Sequence, residues 1–391
     1  MNSIKLSTQR INIKVFIILF LVNFFSLLGT DIIILMTPYI KNLGATNLYT
    51  GIFSNMPSII LVFFFFAGGR FVNNTNRRFF IILSYLIASV SMFCSFFLST
   101  NLLIIMILRL FNSASFGIGF TLLFNLLHSN VPDRIRNGAV AIYGLSGISA
   151  FPLSAWINEF VYNKFPDNQP ALFIIALLCT LVALLLMFMI KDQKDSEVTK
   201  PAKMSVHFLL FNKELYTLML INIVFGGAFG ILSSYLPNFS IFVLNISSYS
   251  FFFTSFAIIS IIVRVFLFKL LDTLPRNLLN IVSLMFILSS FILILTAKST
   301  VFLLIAGIFY GLGHSVLFPT LSTSFVMKGD KSQRDLLSSG YIVYNTFGMI
   351  LFSSIFGFIS DFVGLRLIFV FMAFAVIISI VSGLIDYKRI F

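Results

Sequence analysis

The stretch that decides the fold is Asn23–Pro38, NFFSLLGTDIIILMTP, which lies inside the first long apolar segment and carries one acid, Asp31. A carboxylate is costly in hydrocarbon, so an ionisable residue inside a membrane-spanning segment indicates a functional site. A second charge, Arg109, lies inside the fourth apolar segment. We therefore expect Asp31 and Arg109 to be partners, held by the rest of the chain in a cavity between two bundles of helices.

The composition of the 391 residues indicates a polytopic membrane protein. Hydrophobic residues make up 59% of the chain and charged residues only 10%, whereas a soluble domain carries roughly 25% charged residues. The mean hydropathy is +1.04, so lipid must be the solvent for most of the surface. The apolar segments have about the 20 residues that a helix needs to cross a bilayer. The alternating segments of a membrane barrel are not found, so the predicted class is all-α.

Twelve apolar segments are separated by polar connections, most of them short, which makes neighbouring helices antiparallel. The spans are predicted at 14–40, 47–69, 79–99, 102–128, 138–161, 171–190, 214–240, 249–268, 278–297, 300–326, 337–359 and 366–386. Glycines within these spans (Gly226, Gly227, Gly230, Gly311 and Gly313) predict close helix packing.

The positive charges support this count and give an orientation. With the N-terminus in the cytoplasm, 20 of the 26 Lys and Arg residues fall in cytoplasmic segments and only 4 in outer ones, while Arg109 and Arg264 lie within spans. This excess follows the positive-inside rule, so both termini are expected in the cytoplasm. The same rule explains the net charge of +13, and no nucleic acid partner is expected.

One long polar connection divides the chain near its middle. Its sequence from Lys191 onward, KDQKDSEVTKPAKMSVH, is that of a solvated linker. We predict an N-terminal six-helix bundle over 1–190, a cytoplasmic linker over 191–213 and a C-terminal six-helix bundle over 214–391.

The two halves resemble each other in short segments. Pro38 of MTPYIKNLG matches Pro237 of SYLPNFSIF, and Glu159 of WINEFV matches Asp361 of GFISDFV. Glu159 lies at the end of a span, where an interfacial position is expected. Parallel repeats of six spans, with a site near the membrane midplane between them, are a recurrent plan of transporters.

The connection after the second span, GRFVNNTNRR, resembles the signature G-x-L-A-D-R-x-G-R-K of the major facilitator superfamily, and the resemblance extends over essentially the full chain. The equivalent connection after the eighth span, FKLLDTLPRN, keeps part of the same pattern. The corresponding residues are Gly69, Arg77 and Arg78, with Asn73 in place of the Asp, then Asp272 and Arg276, with Arg264 upstream.

This resemblance implies a fold and several residue roles. It implies two six-helix bundles, with spans one, four, seven and ten lining a cavity and with the two connections forming a cytoplasmic gate. Asn73 is expected to weaken that gate in the N-terminal half. Arg109 corresponds to the membrane arginine of span four in the family. In span five, Gly147 and Pro152 match part of the exporter motif G-x-x-x-G-P-x-x-G-G.

Asp31 and Arg109 are expected at similar depths, roughly 15 Å and 12 Å from the outer surface at 1.5 Å per residue, which makes a salt bridge between them reasonable. Burial favours a neutral acid and a neighbouring guanidinium favours the carboxylate. Moving Arg109, or bringing a cationic substrate near, would therefore change the proton affinity of Asp31. In certain multidrug antiporters of the resembled superfamily, an Asp in span one and an Arg in span four are thought to act in this way. The alternative is a static brace between two helices.

Other polar residues on or beside the cavity-lining spans are candidates for substrate contact. For each of them the alternative is a hydrogen bond between helices, and His314 could also relay a proton. These candidates are Asn23, Asn112, Tyr143, Asn222, Tyr310, His314 and Asn345.

We expect a secondary transporter working by alternating access, with proton-coupled export of a small amphipathic or cationic compound as the leading function. One alternative is proton-coupled uptake or exchange of a sugar, an organic acid or an opine-type metallophore. A remote one is a membrane-embedded enzyme or sensor on a transporter scaffold. No enzyme activity, cofactor or metal is expected. The expected partners are a small-molecule substrate, protons and lipid, and the expected setting is a monomer in the cytoplasmic membrane of a bacterium.

Overall fold

The computed structural model describes residues 13–67, 77–131, 136–190, 212–267, 274–329 and 333–389, and all regular structure in these ranges is helical. Twelve long helices follow one another, each at the place of a predicted span. They are α1 (Ile13–Ile34), α2 (Asn47–Ala67), α3 (Arg77–Phe97), α4 (Leu102–Asn130), α5 (Arg136–Lys164), α6 (Ala171–Phe188), α7 (Tyr216–Phe242), α8 (Ser250–Ile262), α9 (Arg276–Leu295), α10 (Thr300–Val326), α11 (Arg334–Val363) and α12 (Leu365–Arg389).

Short elements connect or extend the long helices. A short helix, Thr37–Asn42, follows α1, and a π-helical segment, Val263–Leu267, continues α8. Turns of 3₁₀ helix occur at Pro166–Asn168 and Lys213–Leu215. Within the described ranges, nine helical segments are long and apolar enough to cross a bilayer, and Ser250–Phe266 is a shorter apolar helix.

The first span is broken shortly after its acid. Asp31 lies in the last turn of α1, the chain leaves the helix at 35–36, and the short helix restarts with Pro38 in its first turn. A proline in a first turn costs no helical hydrogen bond, because the amide hydrogen it lacks has no partner there. Pro237, the matching residue of the second half, lies inside the uninterrupted helix α7. The sequence repeat therefore does not give the same backbone in the two halves.

Side chains from two neighbouring helices hold the end of α1. Asn158 Nδ2 of α5 donates to the Ile32 carbonyl at 3.0 Å, and Ser54 Oγ of α2 donates to the Ile34 carbonyl at 3.1 Å. The last carbonyls of a helix have no partner within the helix, and in hydrocarbon they have no water either. These bonds thus fix the turn that carries Asp31 to α2 and α5.

The buried apolar side chains form separate clusters in the two halves of the chain. The largest cluster belongs to α7–α12, and Leu35, Phe151 and Ala155 of the first half pack into it. The first half contains two smaller clusters. Residues 191–211 of the predicted linker lie outside the described residues, so the division at 191–213 stays a prediction.

The two halves meet closely at one end of the bundle, where α5 and α11 end and α2 and α8 begin. We call this the closed end. With the orientation predicted from the positive charges, it is the outer end. The hydrogen bonds that cross between the halves there include Asn55 Nδ2 to Ser234 Oγ (2.7 Å) and Ser353 Oγ (2.8 Å), Tyr235 Oη to the Asn47 carbonyl (2.9 Å), and Trp156 Nε1 to Thr254 Oγ1 (2.9 Å).

The glycines of α7 lie where another helix approaches its backbone, which confirms the packing predicted from the sequence. A Cβ atom at Gly226 would overlap the carbonyl oxygen of Asn345 in α11, and one at Gly348 of α11 would overlap the carbonyl oxygen of Ile223. A Cβ at Gly230 would lie 2.8 Å from the Met349 backbone. The contact between α7 and α11 therefore depends on the absence of side chains.

We expect Gly226→Ala to destabilise the protein by about 1–3 kcal/mol, because the added methyl group must push the two backbones apart. The measurement is the thermal unfolding temperature of the protein purified in detergent. Gly144→Ala is the matched control, since a Cβ at Gly144 meets nothing within 4 Å. Equal unfolding temperatures for the two variants would contradict this account of the α7–α11 contact.

Candidate functional site

Arg109 of α4 is buried and held by three contacts within the N-terminal half. Its Nε donates to the Phe53 carbonyl at 3.2 Å, and its Nη1 donates to Asn112 Oδ1 at 2.8 Å. The guanidinium also lies over the Phe53 ring, 5.3 Å from the ring centroid. Only 2% of the residue is exposed, and Nη2 has no hydrogen-bond partner. The position of this positive charge is therefore set by α2 and by its own helix.

Asp31 of α1 is also buried, with 7% of the residue exposed. Its carboxylate lies near enough to Arg109 for their charges to attract each other. The expected direct salt bridge is nevertheless not formed in this conformation. No Arg109 nitrogen lies within 4.0 Å of a carboxylate oxygen, and no hydrogen bond joins the two side chains. Two of the three guanidinium nitrogens of Arg109 donate elsewhere, Nη1 to Asn112, one helical turn away, and Nε to the Phe53 carbonyl.

This arrangement separates a fixed positive charge from a carboxylate that has no direct partner among the described residues. Asp31 can gain or lose a proton, or accept a cationic group, without first breaking a hydrogen bond to Arg109. The second half lacks a corresponding acid, because the residue matching Asp31 in the repeat is Gly230, which packs against the Met349 backbone. The carboxylate is therefore an asymmetric feature of the repeated scaffold.

Of the polar candidates of the N-terminal half, Asn112 bonds Arg109 of its own helix, and Asn23 bonds a neighbouring helix. Asn23 Nδ2 of α1 donates to Ser146 Oγ of α5 at 2.6 Å, although Asn23 Oδ1 is buried without a partner. The Tyr143 hydroxyl of α5 is likewise buried and unpartnered. Tyr85 of α3 has the same property. Tyr85 is not among the residues predicted from the sequence.

In the C-terminal half, Asn222 and Asn345 form a polar link between α7 and α11. Asn222 Nδ2 donates to the Tyr341 carbonyl at 2.6 Å, and Asn345 Nδ2 donates to Asn222 Oδ1 at 3.2 Å. This is the interhelical hydrogen bonding that was the alternative to substrate contact. Asn23 of the first half is placed similarly, between α1 and α5.

His314 of α10 lies within a group of aromatic rings. Its Nδ1 atom and the Tyr310 hydroxyl are buried without hydrogen-bond partners. Arg264 lies over the Phe318 ring, 5.9 Å from its centroid. The rings around His314, with centroids 5.0–6.2 Å from its own, are Phe225, Phe229, Phe256, Tyr310 and Phe318.

Comparison with known proteins supports one family. The family model of the Major Facilitator Superfamily matches residues 19–323 and 247–387, which together take in most of the chain. The chain belongs to this superfamily. No curated protein sequence matches the chain. The family and the nine apolar helices make it a multi-pass membrane protein.

Several transporters of known structure have a similar fold. The nucleoside transporter NupG has a TM-score of 0.77 and 14% identity, covering 96% of this chain and 99% of that one. A POT family transporter in complex with a thioalcohol-conjugated peptide has a TM-score of 0.78 and 12% identity, with 96% coverage of both chains. A bacterial homologue of the human lysosomal transporter Spinster, described as inward-facing and occupied, has a TM-score of 0.71 and 13% identity, with 97% coverage of both. Family and fold make this chain a transporter and not an enzyme.

The superfamily gate motif falls only partly within the described residues. Gly69, Asn73 and Asp272 lie outside them. Arg78 Nη2 donates to the Phe188 carbonyl at 3.1 Å, and an Arg276 Nη atom contacts the Met327 sulfur. Arg77 begins α3, and Arg264 lies in the π-helical segment after α8. The cytoplasmic gate therefore stays a prediction.

The residues matching the exporter motif of the superfamily lie in the middle of α5. Pro152 is inside the helix, and a Cβ at Gly147 would lie 3.2 Å from the Leu27 side chain of α1. Both residues are thus on the helix that also carries Tyr143, Ser146 and Glu159.

In the described part of the chain, no three His, Cys, Asp or Glu side chains come together as metal ligands would.

We expect Asn112→Leu to destabilise the protein by about 1–3 kcal/mol, because it leaves a buried guanidinium nitrogen without its acceptor. Ser113→Ala is the control, since Ser113 is fully buried and its hydroxyl has no partner. Removing that hydroxyl should leave stability unchanged or slightly raised. Thermal unfolding in detergent measures both effects, and a loss as large for Ser113→Ala as for Asn112→Leu would show that the Arg109 contact is not the cause.

Proposed function

We propose that this transporter couples the movement of a small amphipathic or cationic solute to protons, with Asp31 as the proton-carrying group and Arg109 as its fixed charge partner. The observation that carries the proposal is a buried carboxylate that interacts with a guanidinium but makes no direct bond to it. The halves are proposed to rock about a central site, as in other transporters built from six-span repeats.

The fixed position of Arg109 supports a role beyond bracing. A brace between α1 and α4 would need a direct contact from Arg109 to Asp31, whereas the contacts of Arg109 go to Phe53 and Asn112. Its charge therefore stays in place whether Asp31 is ionised or neutral. Charge on Asp31 is stabilised by Arg109 and opposed by burial, so a modest change in distance or hydration changes the balance between the two forms.

Asp31 also lies where a change of its charge can affect the backbone at the end of α1. It is in the last turn of α1, whose carbonyls are tied to Asn158 of α5 and Ser54 of α2. A cationic solute near Asp31 would compete directly with a proton for the carboxylate. This competition is the simplest physical basis for exchanging one for the other.

The direction we propose is export. Support comes from Gly147 and Pro152 in α5, which match part of an exporter motif, while the buried acid of α1 suits a cationic solute. Uptake or exchange of a nutrient or metabolite is the second candidate. Solved transporters with this fold include one for nucleosides and one bound to a peptide conjugate, so a nucleoside and a dipeptide should be among the solutes tested.

The test is transport in everted membrane vesicles whose interior is acidified, with ethidium as a lipophilic cation and with uridine and dialanine as the neutral and zwitterionic alternatives. The native chain is expected to accumulate ethidium only while the pH gradient is present. Asp31→Asn should reduce this accumulation to the level without a gradient, because its side chain cannot exchange a proton. Exchange of ethidium at equal concentrations on both sides should persist.

Asp167→Asn is the control, because Asp167 is an exposed acid in the 3₁₀ turn Pro166–Asn168. It should transport like the native chain. Undiminished gradient-driven accumulation by Asp31→Asn would refute the assignment of Asp31. Accumulation of uridine or dialanine in place of ethidium would refute the proposed solute class and leave the role of Asp31 to be tested with that solute.

A further inference from the structure

Two carboxylates at the closed end each bind the first turn of a helix from the opposite half. Glu159, near the end of α5, accepts a hydrogen bond from the backbone amide of Ser250, the first residue of α8, at 2.9 Å. Asp361, near the end of α11, accepts hydrogen bonds from the amides of Asn47 and Leu48, the first two residues of α2, at 2.5 Å and 3.1 Å. Each half therefore gives one carboxylate to the other.

These bonds satisfy groups that a helix cannot satisfy itself. The first four amides of a helix lack partners within it, and its N-terminus carries a partial positive charge. At the start of α2, the Thr46 side chain accepts a hydrogen bond from the Tyr49 amide at 3.1 Å, and the Thr46 carbonyl accepts one from the Thr50 amide at 3.0 Å. Asp361 accepts hydrogen bonds from the other two amides of this first turn. The start of α2 is therefore fully bonded only while α11 of the other half is in place.

The two contacts are related by the internal repeat. Glu159 and Asp361 occupy matching positions, WINEFV and GFISDFV, and the helices they bind, α2 and α8, are the second helix of each half. A second hydrogen bond joins the same two helices at each contact. Trp156 of α5 donates to Thr254 of α8 near Glu159, and Asn55 of α2 donates to Ser353 of α11, farther into the bundle than Asp361. A reciprocal contact repeated by the two-fold arrangement is difficult to explain as an incidental surface interaction.

We infer that Glu159 and Asp361 are paired latches of the closed end, which must both release before the halves separate there during the transport cycle. Neither residue is expected to touch the solute; each is a positioning residue acting through a helix from the other half. Opening exchanges these bonds for water, so the ionised carboxylates bias the transporter towards the conformation closed at this end. The inference goes beyond the proton coupling proposed above and does not depend on it.

The two latches differ in their surroundings, which predicts unequal strength. Glu159 is 7% exposed, whereas Asp361 is exposed, with Lys41 bonded to the neighbouring Asn47 side chain. A buried charged hydrogen bond is worth more than an exposed one. Loss of the Glu159 charge should therefore favour opening more than loss of the Asp361 charge.

The experiment measures opening directly with a cysteine reporter. Ser58→Cys is introduced into a chain carrying Cys94→Ser and Cys179→Ala. Residue 58 is buried in α2, beside Met349 of α11, roughly 16 Å inward from the start of α2 at 1.5 Å per residue. A membrane-impermeant maleimide should reach it from the closed-end side only when that end opens, and labelling intact cells and, separately, inside-out vesicles tests the two membrane faces in turn.

We expect Glu159→Gln to raise the labelling rate from the closed-end side about tenfold, the effect of losing a charged hydrogen bond. Asp361→Asn should raise it about threefold, as expected for an exposed charge at a helix N-terminus, and the double variant should exceed both. Asp167→Asn, which removes an exposed acid at the same end, should label like the parent. Unchanged rates in both Glu159→Gln and Asp361→Asn would overturn the inference.

Folding and mechanism are checked in the same experiment. A variant that elutes as a single species from size exclusion and labels faster has opened, whereas one that aggregates has misfolded. In that case Glu159→Asp and Asp361→Glu, which keep the charge, replace the neutral variants, and their labelling should stay close to the parent rate. Labelling needs neither solute nor a pH gradient, so failure of the Asp31 proposal leaves this readout intact.

Discussion

Every backbone polar group within the hydrocarbon region has to find its partner inside the protein, since water cannot supply one there. This constraint accounts for most of the described polar contacts. Arg109 uses a backbone carbonyl and an asparagine, the end of α1 uses Asn158 and Ser54, and Asn222 joins α7 to α11. Because all of these partners except Asn112 come from other helices, the hydrogen bonds that satisfy the polar groups also hold the helices together.

The same constraint shows why the site is asymmetric. Between α7 and α11 the backbones approach so closely that Gly226, Gly230 and Gly348 leave no room for side chains. The counterpart of Gly230 in the first half is Asp31, whose helix ends one turn later and is followed by a break. The end of α1 accommodates an acid, whereas at Gly230 its side chain would collide with α11. The repeat thus supplies two similar bundles, and local packing decides which of them can carry a carboxylate.

Hydropathy and positive charge were sufficient to predict the twelve helices, because a bilayer imposes length and composition on each span. The depths of the spans and the family resemblance together led to the prediction that Asp31 and Arg109 are neighbours. They could not reveal that Arg109 would prefer the Phe53 carbonyl, since a backbone acceptor leaves no trace in the side-chain sequence. Glu159 was expected to be merely interfacial. Its partner is the amide of Ser250 in the other half, and that pairing exists only in one arrangement of the halves, which no local pattern encodes.

Hydrogen bonds to the backbone of α1 connect the closed end with the buried Asp31. Asp31 precedes Ile32, whose carbonyl is bonded to Asn158, the residue next to Glu159. On the other side, the Ile34 carbonyl is bonded to Ser54, next to Asn55, which bridges to Ser353 of the opposite half. A shift of the last turn of α1 therefore has to break these bonds or move α2 and α5, on which the closure of this end depends. A change of charge at Asp31 acts next to both of the contacts that α2 and α5 make with the C-terminal half.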